Sequence, residues 1–281
     1  MLLLMFSPEP RFAPYIDRIL VQEDFQAVNY ANQNPVKVLP SAFCVIGIQY
    51  GHPMKRVEGD TEQSMGSSGI TGLQTSPRSY LSTGSIGTII LTFKPGGLAA
   101  FTPYSIQEFQ DANVDLDCIF PKQLVADMED RLREALDATE RVSVVQEFLA
   151  CCLQERQQDA WLVEAAQQIQ LLQGNISVEQ MAKDWFVSKR TLERKFNRHV
   201  GLTPKKFANL VRFQHVIALR KCGLDYLDII AACQFSDHAH LIHDFEAFAG
   251  CSPEVFFRTM LQPDLADRFN GQAAGEPTIY Q

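Results

Sequence analysis

The hydrophobic rhythm of this chain changes near Pro121, and that change constrains its fold more than any other feature. Before it, short runs rich in β-branched and aromatic residues stand between Gly, Pro, Ser and Asn; after it, apolar residues recur every third or fourth position. The runs Ile16 to Phe25, Phe43 to Tyr50, Arg78 to Ser82 and Ile86 to Phe93 read as strands. The last alternates, with Ile86, Thr88, Ile90 and Thr92 on one face and Ile89, Leu91 and Phe93 on the other, until Pro95-Gly96-Gly97 stops it. Packed sheets or a barrel would bury such faces. Beyond Pro121, Val125, Met128, Leu132 and Leu136 form one helical stripe and Val144, Val145, Phe148 and Leu149 another. These stripes pack either on the strand-built part or on a second copy of the chain, since one stripe serves one neighbour.

A length of 281 residues suits about two domains. The apolar start, Met1 to Phe6, is too short for a secretory signal, and no run reaches the roughly 18 apolar residues of a membrane helix, so a cytoplasmic protein without membrane contact is expected. Seven cysteines without a CxxC pair are expected to be reduced, mostly buried thiols. His52 is the only histidine of the strand-rich part, which cannot supply the two or three histidines of a metal-dependent oxygenase or isomerase. No phosphate loop and no Ser-His-Asp arrangement appears, so the expectation is a protein that is not an enzyme and carries no cofactor. The net charge of −8 is unevenly spread. Residues 1–159 hold 12 basic and 20 acidic side chains, whereas residues 177–221 hold 11 basic and 3 acidic. A local excess of cations on an acidic chain is the footprint of a nucleic-acid-binding surface.

That basic segment reads as helices with a tight turn. Ser177 with Gln180 forms a capping box, Val178, Met181 and Ala182 face inward, and Ser188 caps a second helix whose inner face is Leu192 and Phe196. The other face carries Lys189, Arg190, Glu193, Arg194, Lys195, Asn197 and Arg198. An arginine near the helix start can fork onto guanine O6 and N7, and Glu193 can accept from a cytosine amine; Ser188, Lys189, Lys195 and Arg198, with Lys205 and Lys206 beyond them, fit phosphates. Thr203-Pro204 opens a long helix with Phe207, Leu210, Val211, Val216, Ile217 and Leu219 buried. Asp225 and Asp237 cap two more helices about a turn at Gln234-Phe235-Ser236, and Ser252-Pro253 opens a last short one. His238, His240 and His243 do not make a metal site, because position 238 points away from the other two and no cysteine or paired carboxylate completes a tetrahedron.

The ordered elements Ser188 to Phe196, Gly201-Leu202-Thr203-Pro204, Arg212, Phe235-Ser236-Asp237-His238, and Phe245 with Gly250-Cys251-Ser252-Pro253 resemble the DNA-binding domain of the AraC/XylS family. The resemblance implies two helix-turn-helix units joined by a long helix, each offering a recognition helix to successive major grooves. Base contact then falls on Arg190, Glu193 and Arg194 in the first unit and on His238, Ala239 and His243 in the second. The second unit departs from the pattern. Position 243, often arginine, is histidine, and residues 222–262 hold one basic and six acidic side chains. Phe186 and Gln234 also replace the usual turn glycines, and a side chain at positive φ costs on the order of 1 kcal/mol.

Val38-Leu39-Pro40-Ser41, Gly72-Leu73-Gln74-Thr75 and Phe93 to Phe101 are similar, more loosely, to an uncharacterised β-barrel-like front domain of some AraC-type regulators. The expected fold class is α+β: a β-barrel-like, cupin-like N-terminal domain with helices, then an all-α double helix-turn-helix DNA-binding domain. The expected boundaries are 1–120 for the sensor or dimerisation domain, 121–160 for connecting helices, 161–262 for DNA binding and 263–281 for a frayed polar tail. Double-stranded DNA is the expected partner of a bacterial regulator acting as a homodimer; the resemblance also admits RNA polymerase and an unknown small-molecule effector. Two readings of the front half stay open: a small molecule in the β domain controls the DNA-binding units, or the domain only dimerises or recruits a partner. An apolar pocket with a few inward polar groups favours the first, a filled barrel the second.

Overall fold

In the computed structural model residues 2–25, 35–154 and 160–260 are described, and the expected tail 263–281 lies outside them. The strands are β1 (Leu2–Phe6), β2 (Ile16–Asp24), β3 (Val36–Val38), β4 (Val45–Gln49), β5 (Met54–Glu58), β6 (Thr61–Ser64), β7 (Ser68–Thr71), β8 (Arg78–Ser82), β9 (Ile86–Phe93) and β10 (Asn113–Asp115). They form a six-stranded sheet, β1-β2-β9-β4-β7-β10, and a four-stranded sheet, β3-β8-β5-β6, with every pair antiparallel. The four expected runs are strands. Leu2 to Phe6, read in the sequence only as part of a segment too short for a signal, forms β1, whose register runs from Leu2 opposite Glu23 to Phe6 opposite Ile19.

The alternation in β9 divides the six-stranded sheet into two faces. Ile89, Leu91 and Phe93 are fully buried, as are Ile46 and Ile48 of β4, and they join a continuous core with the helical stripes. Thr88 and Ile90 instead point with Val45, Gly47 and Gln49 into the space between the sheets. The pairing sets Gly47 directly opposite both Ile90 and Gly69, so two neighbouring strands carry no side chain at this level. A Cβ at Gly47 would touch nothing within 4 Å. The missing side chains leave a cavity of about 140 Å³ rather than a filled core.

Helices α1 (Lys122–Glu134) and α2 (Ala138–Cys152) bury Val125, Met128 and Leu132, and Val144, Val145, Phe148 and Leu149, within the chain. The stripes that offered a dimer surface are therefore spent internally. Leu136 breaks the expected stripe: it lies past the end of α1 and is 90% exposed. Burial pushes the thiols of Cys44 and Cys152 up to about 12 and that of Cys233 to about 11, whereas Cys118, Cys151 and Cys222 are exposed, against the expectation of mostly buried cysteines.

The second half is helical: α3 (Ala160–Leu171), α4 (Val178–Asp184), α5 (Lys189–Val200), α6 (Pro204–Lys221), α7 (Tyr226–Ala232), α8 (His238–Ala249) and α9 (Pro253–Met260). Phe196 of α5 meets the ring of Phe207 of α6 at 5.6 Å, and Phe213 of α6 meets Phe245 and Phe248 of α8 at 5.0 and 5.4 Å, so α6 carries both flanking sets of helices. The buried Arg212 of α6 donates to the Asp244 carboxylate of α8 at 2.6 Å and lies over the Phe235 ring at 4.7 Å. Replacing Asp244 by alanine strands a guanidinium only 8% exposed, and such a loss costs about 3 kcal/mol or more. Urea unfolding of Asp244→Ala is expected to show that loss, with the smaller loss in Asp244→Asn; a midpoint equal to the parent's contradicts the role given to the pair.

Candidate nucleic-acid interface

Ser177 starts α4 by accepting from the Gln180 amide at 3.2 Å, but the Gln180 side chain does not reach back. It donates instead to Asp184 at 2.7 Å, so half of the expected capping box is made. Val178, Met181 and Ala182 are buried as expected. The turn then holds Phe186 at a φ of 52°, with its N–H donating to Lys183 and that of Val187 to Ala182. Phe186 is 95% exposed and touches no core that would offset the strain of its backbone. Ser188 caps α5 by accepting from Thr191 N at 3.1 Å, and Leu192 and Phe196 are fully buried.

The amphipathicity of α5 leaves its cations outward. Arg190, Arg194 and Arg198 are exposed, with Glu193 half-buried between them. Lys189 and Glu179 pair at 2.5 Å across the turn, joining α4 to α5, and the bond holds the lysine above and the glutamate below their usual pKa ranges. Lys195 is half-buried, with its ammonium 5.8 Å from the Trp161 ring, and Trp161 in turn packs on Trp185 at 5.9 Å. The exposed Lys205 and Lys206 lie in the first turn of α6, where Thr203 accepts from Lys206 N at 3.3 Å.

The second unit repeats the plan without the charge. Asp225 accepts from Asp228 N at 2.9 Å to cap α7, Gln234 takes a φ of 54°, and Asp237 accepts from His240 N at 2.8 Å to cap α8. That backbone bond is the main force holding the Asp237 carboxyl below its usual range. His238, Ala239 and His243 are exposed, His238 edge-on to Tyr226 at 5.6 Å and His243 with Nδ1 3.6 Å from Asp244. His240 turns back onto Ser236 at 3.2 Å.

Four contacts escaped the sequence reading because each joins elements distant in the chain. One is the Arg212–Asp244 pair. The others dock the helical half on the strand-rich half. Gly201, at a φ of 100° past the end of α5, sits so close to Ile106 that a Cβ would lie 3.1 Å from its Cγ2, and Ser105 donates to the Arg198 carbonyl at 3.4 Å. Gln214 of α6 donates to the Pro40 carbonyl at 3.4 Å, and Leu39 and Ser41 beside Pro40 line the cavity between the sheets.

Residues 181–259 match the profile of a helix-turn-helix domain family, and residues 4–115 match a domain of unknown function, DUF6597. No curated protein matches the chain. Among solved structures the chain is similar to ToxT from Vibrio cholerae, with 10% identity, 92% of this chain and 97% of that one covered and a TM-score of 0.44. It is also similar to wild-type ToxT of Vibrio cholerae strain SCE256 with unsaturated fatty acid bound, at 15% identity, 91% and 94% coverage and a TM-score of 0.40. The AraC-like transcriptional activator CuxR aligns at 12% identity over 82% of this chain and 91% of its own, with a TM-score of 0.24. The first profile spans both units from Met181 onward and the second most of the two sheets, so the chain carries a helix-turn-helix domain behind a DUF6597 domain.

Proposed function

We propose that the chain is a sequence-specific transcription regulator that reads its operator chiefly through α5 and is controlled by a small molecule bound between the two sheets. The observation that carries the first part is the outward face of α5, where Arg190 and Arg194 are exposed one helical turn apart near the N-terminal end. These two, with Glu193, read base edges. Arg198, Lys205 and Lys206 meet phosphates together with the Ser188 hydroxyl, Lys189 does so by exchanging Glu179 for a phosphate, and Lys195 adds charge from its place over Trp161. In the second unit His238, Ala239 and His243 face the groove without a lysine or arginine among them, and that unit contributes shape more than charge.

The cavity supports the second part, and it favours control by a ligand over a front domain that only dimerises. Its wall is mostly apolar with a few inward polar groups, and the segment Leu39–Ser41 runs from that wall to the Pro40–Gln214 bond on α6.

Arg190→Ala and Arg194→Ala are each expected to cost about 1 to 3 kcal/mol on an operator selected from random duplexes and to relax preference at one base pair, whereas Lys195→Ala weakens all duplexes alike. Equal losses for all three across operator variants would remove the division between base and phosphate contacts. The slope of log affinity against log salt is expected to fall by about 0.9 for each of Arg198, Lys205 and Lys206 neutralised, and to stay the same for Arg258→Gln. A deproteinised cell extract is expected to change operator affinity of the parent chain and not of Gly47→Val, in which the new side chain enters the cavity; an equal response in both separates control from the cavity.

A further inference from the structure

We propose that the cavity between the sheets is built for an uncharged molecule, and that an anionic ligand such as a free carboxylate is excluded from it. The inference rests on the reading of the cavity as the effector site and names the class of effector.

Four neutral polar side chains of the wall are linked to one another. The buried Gln74 donates from Nε2 to the Tyr80 hydroxyl at 3.1 Å, and Asn113 donates from Nδ2 to the Thr71 hydroxyl at 2.6 Å. The Tyr80 hydroxyl faces Asn113 Oδ1 at 3.5 Å, joining the two pairs into one patch contributed by both sheets. Amides and hydroxyls offer donors and acceptors together, the complement of a carbonyl, amide or hydroxyl head group. Around them stand Val36, Val38, Phe43, Val45 and Ile90, which take an apolar body.

Among the described residues that line the cavity there is no lysine, arginine or histidine, and the formal charge present is the carboxylate of the exposed Asp115. Two arginines come near by register, and neither lines the cavity. Arg56 lies opposite Tyr80, but its Nη2 donates to Glu58 at 2.9 Å. Arg78 lies opposite Val38, but its Nη2 donates to the Asp111 carbonyl and its guanidinium is 4.0 Å from the Asp111 carboxylate. Asp111 is held there by its bonds from Thr75 N and Oγ1, which with Gln110 and Arg78 outweigh its desolvation and keep its carboxyl below the usual range. A carboxylate brought into the cavity would give up its water without gaining a cation from the residues that line it, which disfavours it strongly against an uncharged molecule of the same shape. A cavity of about 140 Å³ suits a body on the scale of a benzene ring with a small head group.

Benzamide, benzoate and benzylamine share one shape and differ in charge, and they are the probes for the full chain at neutral pH. Ligand-observed NMR titration is expected to give benzamide the tightest binding, with benzoate weaker by on the order of tenfold or more. Tyr80→Phe and Gln74→Leu are expected to weaken benzamide several-fold, and Gly47→Val to abolish its binding while the thermal midpoint of the protein holds or rises, because its Cβ enters open space. Benzoate binding as tight as benzamide, and lost in Arg78→Met, would overturn the proposal by showing that the buried Nε and Nη1 of Arg78, which have no partner within the protein, serve an anion. Tightest binding of benzylamine, lost in Asp115→Asn, would overturn it in favour of a cation. Binding of none of the three would take down the cavity as an effector site, and with it the reading on which the proposal stands.

Discussion

The distance between the two helix-turn-helix units is set by one helix and one ion pair. Helix α6 has 18 residues, a length of about 27 Å at the usual rise, somewhat less than one turn of duplex DNA. Its Phe207 packs on α5 and its Phe213 on α8, so the aromatic contacts alone would allow either unit to roll. Arg212 removes that freedom on the second unit, because its guanidinium meets Asp244 on α8 and lies over Phe235 of the turn. A directional bond in a buried place fixes orientation where a hydrophobic contact fixes only distance.

That rigidity matters because the two units are chemically unequal. The first presents exposed arginines, the second two exposed histidines and the carboxylate of Asp244, which is shared among Arg212, His240 and His243. Under the proposed function, attraction to phosphate would be concentrated on α5 and the start of α6, and α8 would reach its groove through the geometry of α6. The strained turns fit the same division. Both hold a non-glycine residue at positive φ, and each costs on the order of 1 kcal/mol, a cost borne by the packed helices on either side.

Much of the helical half was legible because its signals are local. Five caps, at Ser177, Ser188, Thr203, Asp225 and Asp237, bond within three residues of themselves, and the positive φ at Phe186 and Gln234 was implied by the resemblance, which puts turn glycines at those positions. The strand half was legible only in its four strongest runs. The missed strand β6 is exposed throughout and shows no alternation, and β3 and β10 have three residues each, too few to establish a period. The cavity was not legible at all. It depends on Gly47 and Gly69 falling opposite one another, and register is a property of the folded sheet that neither strand announces by itself.

The contacts between the halves decide what kind of control the fold permits. Ile106 against Gly201 and Ser105 on the Arg198 carbonyl engage the C-terminal end of α5, and Pro40 engages Gln214 on α6. None of these covers Arg190 or Arg194, which remain exposed with the front half docked. A front domain placed in this way does not act by covering the reading face. It holds the end of α5 and the side of α6, so under the proposed function a ligand beside Leu39 and Ser41 would act by changing the placement of α5 relative to α8, to which DNA affinity would be sensitive because the second unit has little charge to compensate a misplaced groove contact.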